Sequence, residues 1–185
     1  MIPYHPELLF VLYGISEVGL GVFKRSKSRA KDEGTLAMLW AVIGLAVFFS
    51  IFIAKAWPQD HVTFSPVVYD VAVLLFLFGI ALRWWAIIHL GRFFTVDVAI
   101  ATDHRIVDDG PYKYVRHPSY TGALLAFIGL GIMLFNWLSV VVLILPILLA
   151  FLWRIAIEER ALLAAFGADY AAYRGRTKRL LPFIY

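Results

Sequence analysis

Apolar residues in this chain come in long unbroken runs rather than in alternating or amphipathic stripes. The runs cover residues 8–23, 36–54, 67–90, 120–135 and 138–157. A helix crossing the bilayer core needs roughly 20 mostly apolar residues, with about 17 as a lower limit. The first run is short and is interrupted by Glu17, the second is clean, and the third carries Asp70 and Arg83. The fourth and fifth are parted only by Asn136 and Trp137, so tight a turn that it predicts an antiparallel helical hairpin. Beyond it, Leu162, Phe166, Tyr170 and Tyr173 keep helical spacing over 158–173, with Gly167 interrupting at about 1 kcal/mol of helix propensity. The pattern predicts an all-α polytopic membrane protein with about five transmembrane helices, a hairpin from spans 4 and 5 and a short cytoplasmic C-terminal helix.

Composition removes the soluble alternative. Of 185 residues, 62% are hydrophobic and the mean hydropathy is +0.79, against roughly 45–50% apolar in an ordinary soluble domain. The net charge of +4 suggests nucleic acid only until the cations are located. They flank the apolar runs, where lysine and arginine report membrane orientation. Counted along the chain, the connections and tail hold five, one, four, none and six basic residues. That alternation predicts an N-terminus outside, a C-terminus in the cytoplasm and an odd number of spans, and no nucleic-acid partner. Residues 1–6 lack a basic n-region, and Glu7 and Glu17 flank the first run, which therefore reads as a retained span.

Candidate chemistry lies at the cytoplasmic ends of the later spans. In the run Gly110-Pro111-Tyr112-Lys113-Tyr114-Val115-Arg116-His117-Pro118-Ser119-Tyr120-Thr121-Gly122, Pro118 suits a first helical turn. The amides of residues 119–121 would then face the cytoplasm with the positive end of the helix dipole, a place to hold a carboxylate. An interfacial anchor fits the same residues. Arg154 and Glu158 are four apart and share a helix face; an exposed surface pair fits them equally. Glu17 is either functional by virtue of its depth or a partner for Arg83. Trp40, Trp57, Trp84 and Trp85 read as packing or interfacial residues. Without cysteine, and with His5 and His61 lacking partner spacing, no metal site is expected.

Taken together, the RHPSYTG run, the hairpin, the Glu158-Glu159 pair and the ending FGADYAAYRGRTKRLLPFIY resemble the isoprenylcysteine carboxyl methyltransferase family, within a superfamily that includes phospholipid N-methyltransferases. Asp103-His104-Arg105-Ile106-Val107 ahead of Gly110-Pro111-Tyr112 follows the family's order. The resemblance covers about residues 90–185. It implies transfer of a methyl group from S-adenosyl-L-methionine, leaving S-adenosyl-L-homocysteine, in a pocket formed by the 91–120 loop, the hairpin and the tail. Residues 1–90 then supply spans 1–3, and 91–185 the cofactor site, of one integrated domain.

By the same resemblance, His104, Arg105, Ile106, Val107, Tyr112, His117, Pro118, Ser119 and Tyr120 line the cofactor, much of it through backbone. Glu158 binds it, at its ammonium, and Arg154 faces the methyl acceptor as the catalytic residue. Many relatives carry a cofactor-contacting glutamine shortly before His104; this chain has Ala99 to Thr102 there, and no assignment is made in that stretch.

Methyl transfer from a sulfonium removes positive charge in an in-line displacement, so positioning and desolvation outweigh acid–base work. A carboxylate acceptor needs a fixed cation and no base, whereas an amine would need His117 or Glu159 to take its proton. The expected acceptor is a prenylated cysteine or similar lipophilic acid, delivered from the membrane lipid. A phospholipid amine or small thiol is the alternative within the superfamily. A non-enzymatic membrane subunit, or a reductase-like nicotinamide binder, is the alternative of another class.

Overall fold

The computed structural model describes residues 6–23, 34–57, 65–94 and 105–182. Five helices account for most of them: α1 (Pro6–Phe23), α2 (Thr35–Ala56), α3 (Pro66–Leu90), α4 (Pro118–Met133) and α5 (Trp137–Arg176). Short 3-10 turns occupy Gly91–Phe93 and Gly110–Lys113. Helices α2, α3 and α5 are long and apolar enough to cross a membrane; α1 and α4 are apolar but shorter. Large apolar side chains face outward along the bundle, among them Phe48 at 61%, Leu74 at 65% and Leu149 at 57% exposure. Such a surface is at home only in lipid.

Helices α3 and α4 pack backbone to backbone. A Cβ on Gly79 would lie 2.5 Å from the amide nitrogen of Ala126, and one on Gly122 would lie 2.5 Å from the carbonyl of Gly79. Gly129 meets Ala72 in the same way, at 2.6 Å. Lipid gives apolar side chains little reason to associate, so close approach through small residues supplies the contact instead. The seam also sets α4 in register with Arg83, whose guanidinium donates to Ser119 Oγ at 2.9 Å.

Helix α5 packs chiefly on α2. The hairpin turn is tied down by Asn136, fully buried, whose Oδ1 accepts from Ser139 N at 2.9 Å and whose amide donates to the carbonyl of Trp57 at 3.1 Å. At about 1.5 Å rise per residue, 40 residues run to some 60 Å, twice the hydrocarbon core. The apolar stretch 138–157 crosses; the polar remainder extends past it. The expected tail helix is continuous with α5 up to Gly167, which adopts φ 50° and breaks the helix. The last turns therefore leave at a new angle and fold back towards α4.

Candidate functional site

A strap closes the polar end of the bundle. After α5 the chain pairs in parallel with the segment leading into α4: Val115 bridges Lys178, Arg116 N donates to Lys178 O at 2.7 Å, and His117 N donates to Arg179 O at 3.0 Å. Thr121 Oγ1 adds a bond to Leu180 O at 2.8 Å. Glu159 clamps the two strands from beneath, accepting from Arg116 Nε at 2.8 Å and from the Arg179 guanidinium at 2.9 Å. Burial disfavours charge on Glu159, but hydrogen bonds from His117, Arg179 and Arg116 outweigh it and hold its carboxyl well below the usual range.

The Gly110–Lys113 turn enters the same end. Gly110, at φ 53°, lies under the His89 ring, 2.6 Å from where its Cβ would be, so a side chain there would meet both strain and a clash. Tyr112 is thereby buried, donating to Ala86 O at 3.2 Å and accepting at its own carbonyl from Tyr173 OH at 2.8 Å.

Between strap, turn and bundle lies a cavity open to solvent at one end. Its polar end is walled by Arg105, Ile106, Val107, Tyr112, His117 and Glu158. Its other end runs between helices and is apolar, lined by Leu39, Trp40, Ile43, Ala123, Phe127 and Phe151. Arg154 lies at the junction, 1% exposed, donating to Thr35 Oγ1 at 2.7 Å with its Nε 3.5 Å from Glu158 Oε1. Glu158 also accepts from Tyr120 OH and lies 3.6 Å from His117 Nδ1.

Arg105, Ile106, Val107, Tyr112, His117, Ser119, Tyr120, Arg154 and Glu158 line one cavity. Pro118 does not line it; it is buried at the first turn of α4 and sets that turn's direction. His104 lies outside the described residues. Of the amides expected to face the cytoplasm, that of Thr121 is instead taken by His117 O at 3.1 Å. The pairing of Arg154 with Glu158 is buried on the arginine side rather than a surface pair.

Several residues outside the RHPSYTG and Glu158-Glu159 motifs also line the cavity. Arg83 and Glu17 form a buried ion pair on the cavity wall, and Trp40 lines its apolar half. Glu17 and Arg83 inside apolar runs signalled a pair; nothing in the spacing of Trp40 distinguishes it from a packing residue. Tyr170 and Tyr173 reach the cavity from the tail helix, where their helical spacing gave the face but not its target.

Fold and site together define a polytopic helical membrane protein with a polar chamber at one end opening into an intramembrane apolar channel. The profile of the isoprenylcysteine carboxyl methyltransferase (ICMT) family matches residues 72–164. Protein-S-isoprenylcysteine O-methyltransferase B of Arabidopsis thaliana is 32% identical over 96% of this chain and 85% of that protein. The Schizosaccharomyces pombe protein-S-isoprenylcysteine O-methyltransferase is 34% identical over 74% of this chain and 59% of its own length. The solved structure of the eukaryotic intramembrane Ras methyltransferase of the same name superposes with a TM-score of 0.60 at 28% identity, over 78% of this chain and 52% of that one. The chain belongs to the isoprenylcysteine carboxyl methyltransferase family.

Proposed function

We propose that this chain transfers a methyl group from S-adenosyl-L-methionine to the carboxylate of a prenylated cysteine or similarly lipophilic acid, at the cytoplasmic face of the membrane. The observation that carries this reading is Arg154, a buried cation at the junction of the polar chamber and the apolar channel. Relatives along the length of the chain bear the name of that reaction.

The polar chamber suits a zwitterionic cofactor. Glu158 presents a carboxylate for an ammonium group, while the fully buried Tyr170 hydroxyl makes no hydrogen bond with the described residues. Unsatisfied buried polar atoms call for a ligand or water. When bound, S-adenosyl-L-methionine supplies an electrophilic methyl on a sulfonium. The Arg154 guanidinium, held by Thr35 and Glu158, is fixed to orient an acceptor carboxylate towards that methyl. No side chain has to accept a proton, because the carboxylate arrives ionised. The apolar channel takes the acceptor's hydrocarbon tail. An amine acceptor would need a base, and Glu159 is unavailable for that role, since it does not line the cavity and its oxygens are engaged by Arg116 and Arg179.

Orientation follows from the alternating basic residues, which favour an external N-terminus with the chamber and C-terminus in the cytoplasm.

Labelled methyl transfer to a lipophilic thioether acid tests the proposal. Arg154→Lys keeps the charge, loses the planar fork and should slow the reaction. Arg154→Ala should lose on the order of 10²-fold or more, the scale of a misplaced reacting group. The wild-type rate should be flat between about pH 6 and 8, since carboxyl groups ionise near ~4 and guanidinium above ~12. A fully active Arg154→Ala enzyme, or a rate rising with pH, would move the acceptor to an amine or thiol.

A further inference from the structure

One buried group of the chamber has no task in the reaction so far described. Tyr170 is 2% exposed, three residues past the break at Gly167. Its side chain lines the cavity beside Arg116, His117, Glu158 and Tyr173, yet its hydroxyl is fully buried and makes no hydrogen bond.

Its neighbours are already engaged. Glu159 accepts from Arg116 and from both Nε and a terminal nitrogen of Arg179. Arg116 gives its remaining contacts to the carbonyls of Arg174 and Thr177. Tyr173, whose ring centre is 6.0 Å from that of Tyr170, donates to the carbonyl of Tyr112. A phenol removed from water forfeits its hydrogen bonds there, so proteins rarely leave one unmatched. Burial pushes the Tyr170 phenol above its ordinary pKa, with Glu159 adding to the effect, so the group keeps its proton and serves as a donor.

We infer that the Tyr170 hydroxyl donates a hydrogen bond to an oxygen acceptor of the methyl donor bound in the chamber, which makes the tail helix part of the binding site rather than only a cover. The inference rests on the reading of the chamber as an S-adenosyl-L-methionine site. It also gives the Gly167 break a purpose: a straight continuation of α5 would carry Tyr170 away from the strap.

Calorimetric titration of the purified full-length protein with S-adenosyl-L-homocysteine, alongside melting of the ligand-free protein, tests it. Tyr170→Phe removes only the oxygen. It should leave the ligand-free melting temperature unchanged or raised, and weaken binding roughly 3- to 10-fold, the worth of one neutral hydrogen bond. Tyr173→Phe removes a hydroxyl that has a protein partner, and should lower the ligand-free melting temperature instead. Wild-type affinity in Tyr170→Phe would overturn the inference, as would a melting loss equal to that of Tyr173→Phe. An unchanged affinity with a raised KM for the acceptor would assign the hydroxyl to the acceptor and overturn it too. If the wild-type protein itself binds no S-adenosyl-L-homocysteine, the cofactor reading fails first and takes the inference with it.

Discussion

Two adjacent glutamates do opposite work here, and helical geometry requires it. Successive residues on a helix point about 100° apart, so Glu158 and Glu159 cannot both face the chamber. Glu158 faces it, beside Arg154 and Tyr120, while Glu159 clamps the strap. Glu158→Ala should therefore weaken S-adenosyl-L-homocysteine binding by about 1–3 kcal/mol, the scale for leaving a charged group unmatched. Affinity equal to wild type in a titration would remove Glu158 from the site. Glu159→Gln should instead lower stability, towards the lower end of the roughly 3–5 kcal/mol seen for buried pairs, because Arg179 is partly exposed. Its pH dependence has a definite sign. The folded carboxyl is held below its ordinary value, so its stabilisation is complete above the unfolded value near ~4.3 and fades as the pH falls through the folded value. The melting difference between wild type and Glu159→Gln should be constant from about pH 6 to 8 and shrink below about pH 4. The pair itself was legible in the sequence, but its division of labour was not. That depends on Arg116 and Arg179, which stand 43 and 20 residues from Glu159 and meet it only once the strap has folded back.

At the scale of elements, the long apolar runs gave the helices because lipid leaves the backbone no alternative to internal hydrogen bonding. The hairpin was legible for the same reason, since two residues cannot join long spans in any but an antiparallel way. What periodicity could not show is which helices touch, because a helix apolar all round has no marked face. The marks are small residues. Gly79, Gly122 and Gly129 stand where α3 and α4 meet backbone to backbone, whereas Gly44 has nothing within 4 Å of where its Cβ would be. Gly122→Val should force the helices apart and destabilise the protein by about 1–3 kcal/mol or more, on the scale of overpacking. Because Arg83 and Ser119 sit in that seam, its loss should also disturb the chamber. Gly44→Ala is the control, expected to be neutral or stabilising by up to about 1 kcal/mol through helix propensity. Melting of both variants separates a packing seam from a general intolerance of substitution; equal behaviour would refute the seam.

For the whole molecule, the polar chamber and the apolar channel form one continuous space, and that continuity gives the enzyme reason to be built inside a membrane. The channel was not legible from sequence: Leu39, Trp40 and Ile43 come from α2, Phe127 from α4 and Phe151 from α5, and none carries a motif. A hydrocarbon tail lying in it would trade water or lipid for fitted walls, at about 0.8 kcal/mol per methylene removed from water. A polar headgroup anchored at Arg154 leaves the tail only that direction to run. Ile43 sits on the wall, partly buried against the core, so a larger side chain there narrows the channel. Ile43→Trp should therefore raise KM strongly for a long-chain thioether acid and little for a short-chain analogue of the same headgroup. Its affinity for S-adenosyl-L-homocysteine should match wild type, which shows that the chamber is intact. Equal losses for long and short acceptors, with cofactor binding preserved, would mean that the tail lies elsewhere, against the exposed outer faces of the helices. Selective loss for the long acceptor would place the tail between α2, α4 and α5, and would make the width of the channel at Ile43 the determinant of acceptor chain length.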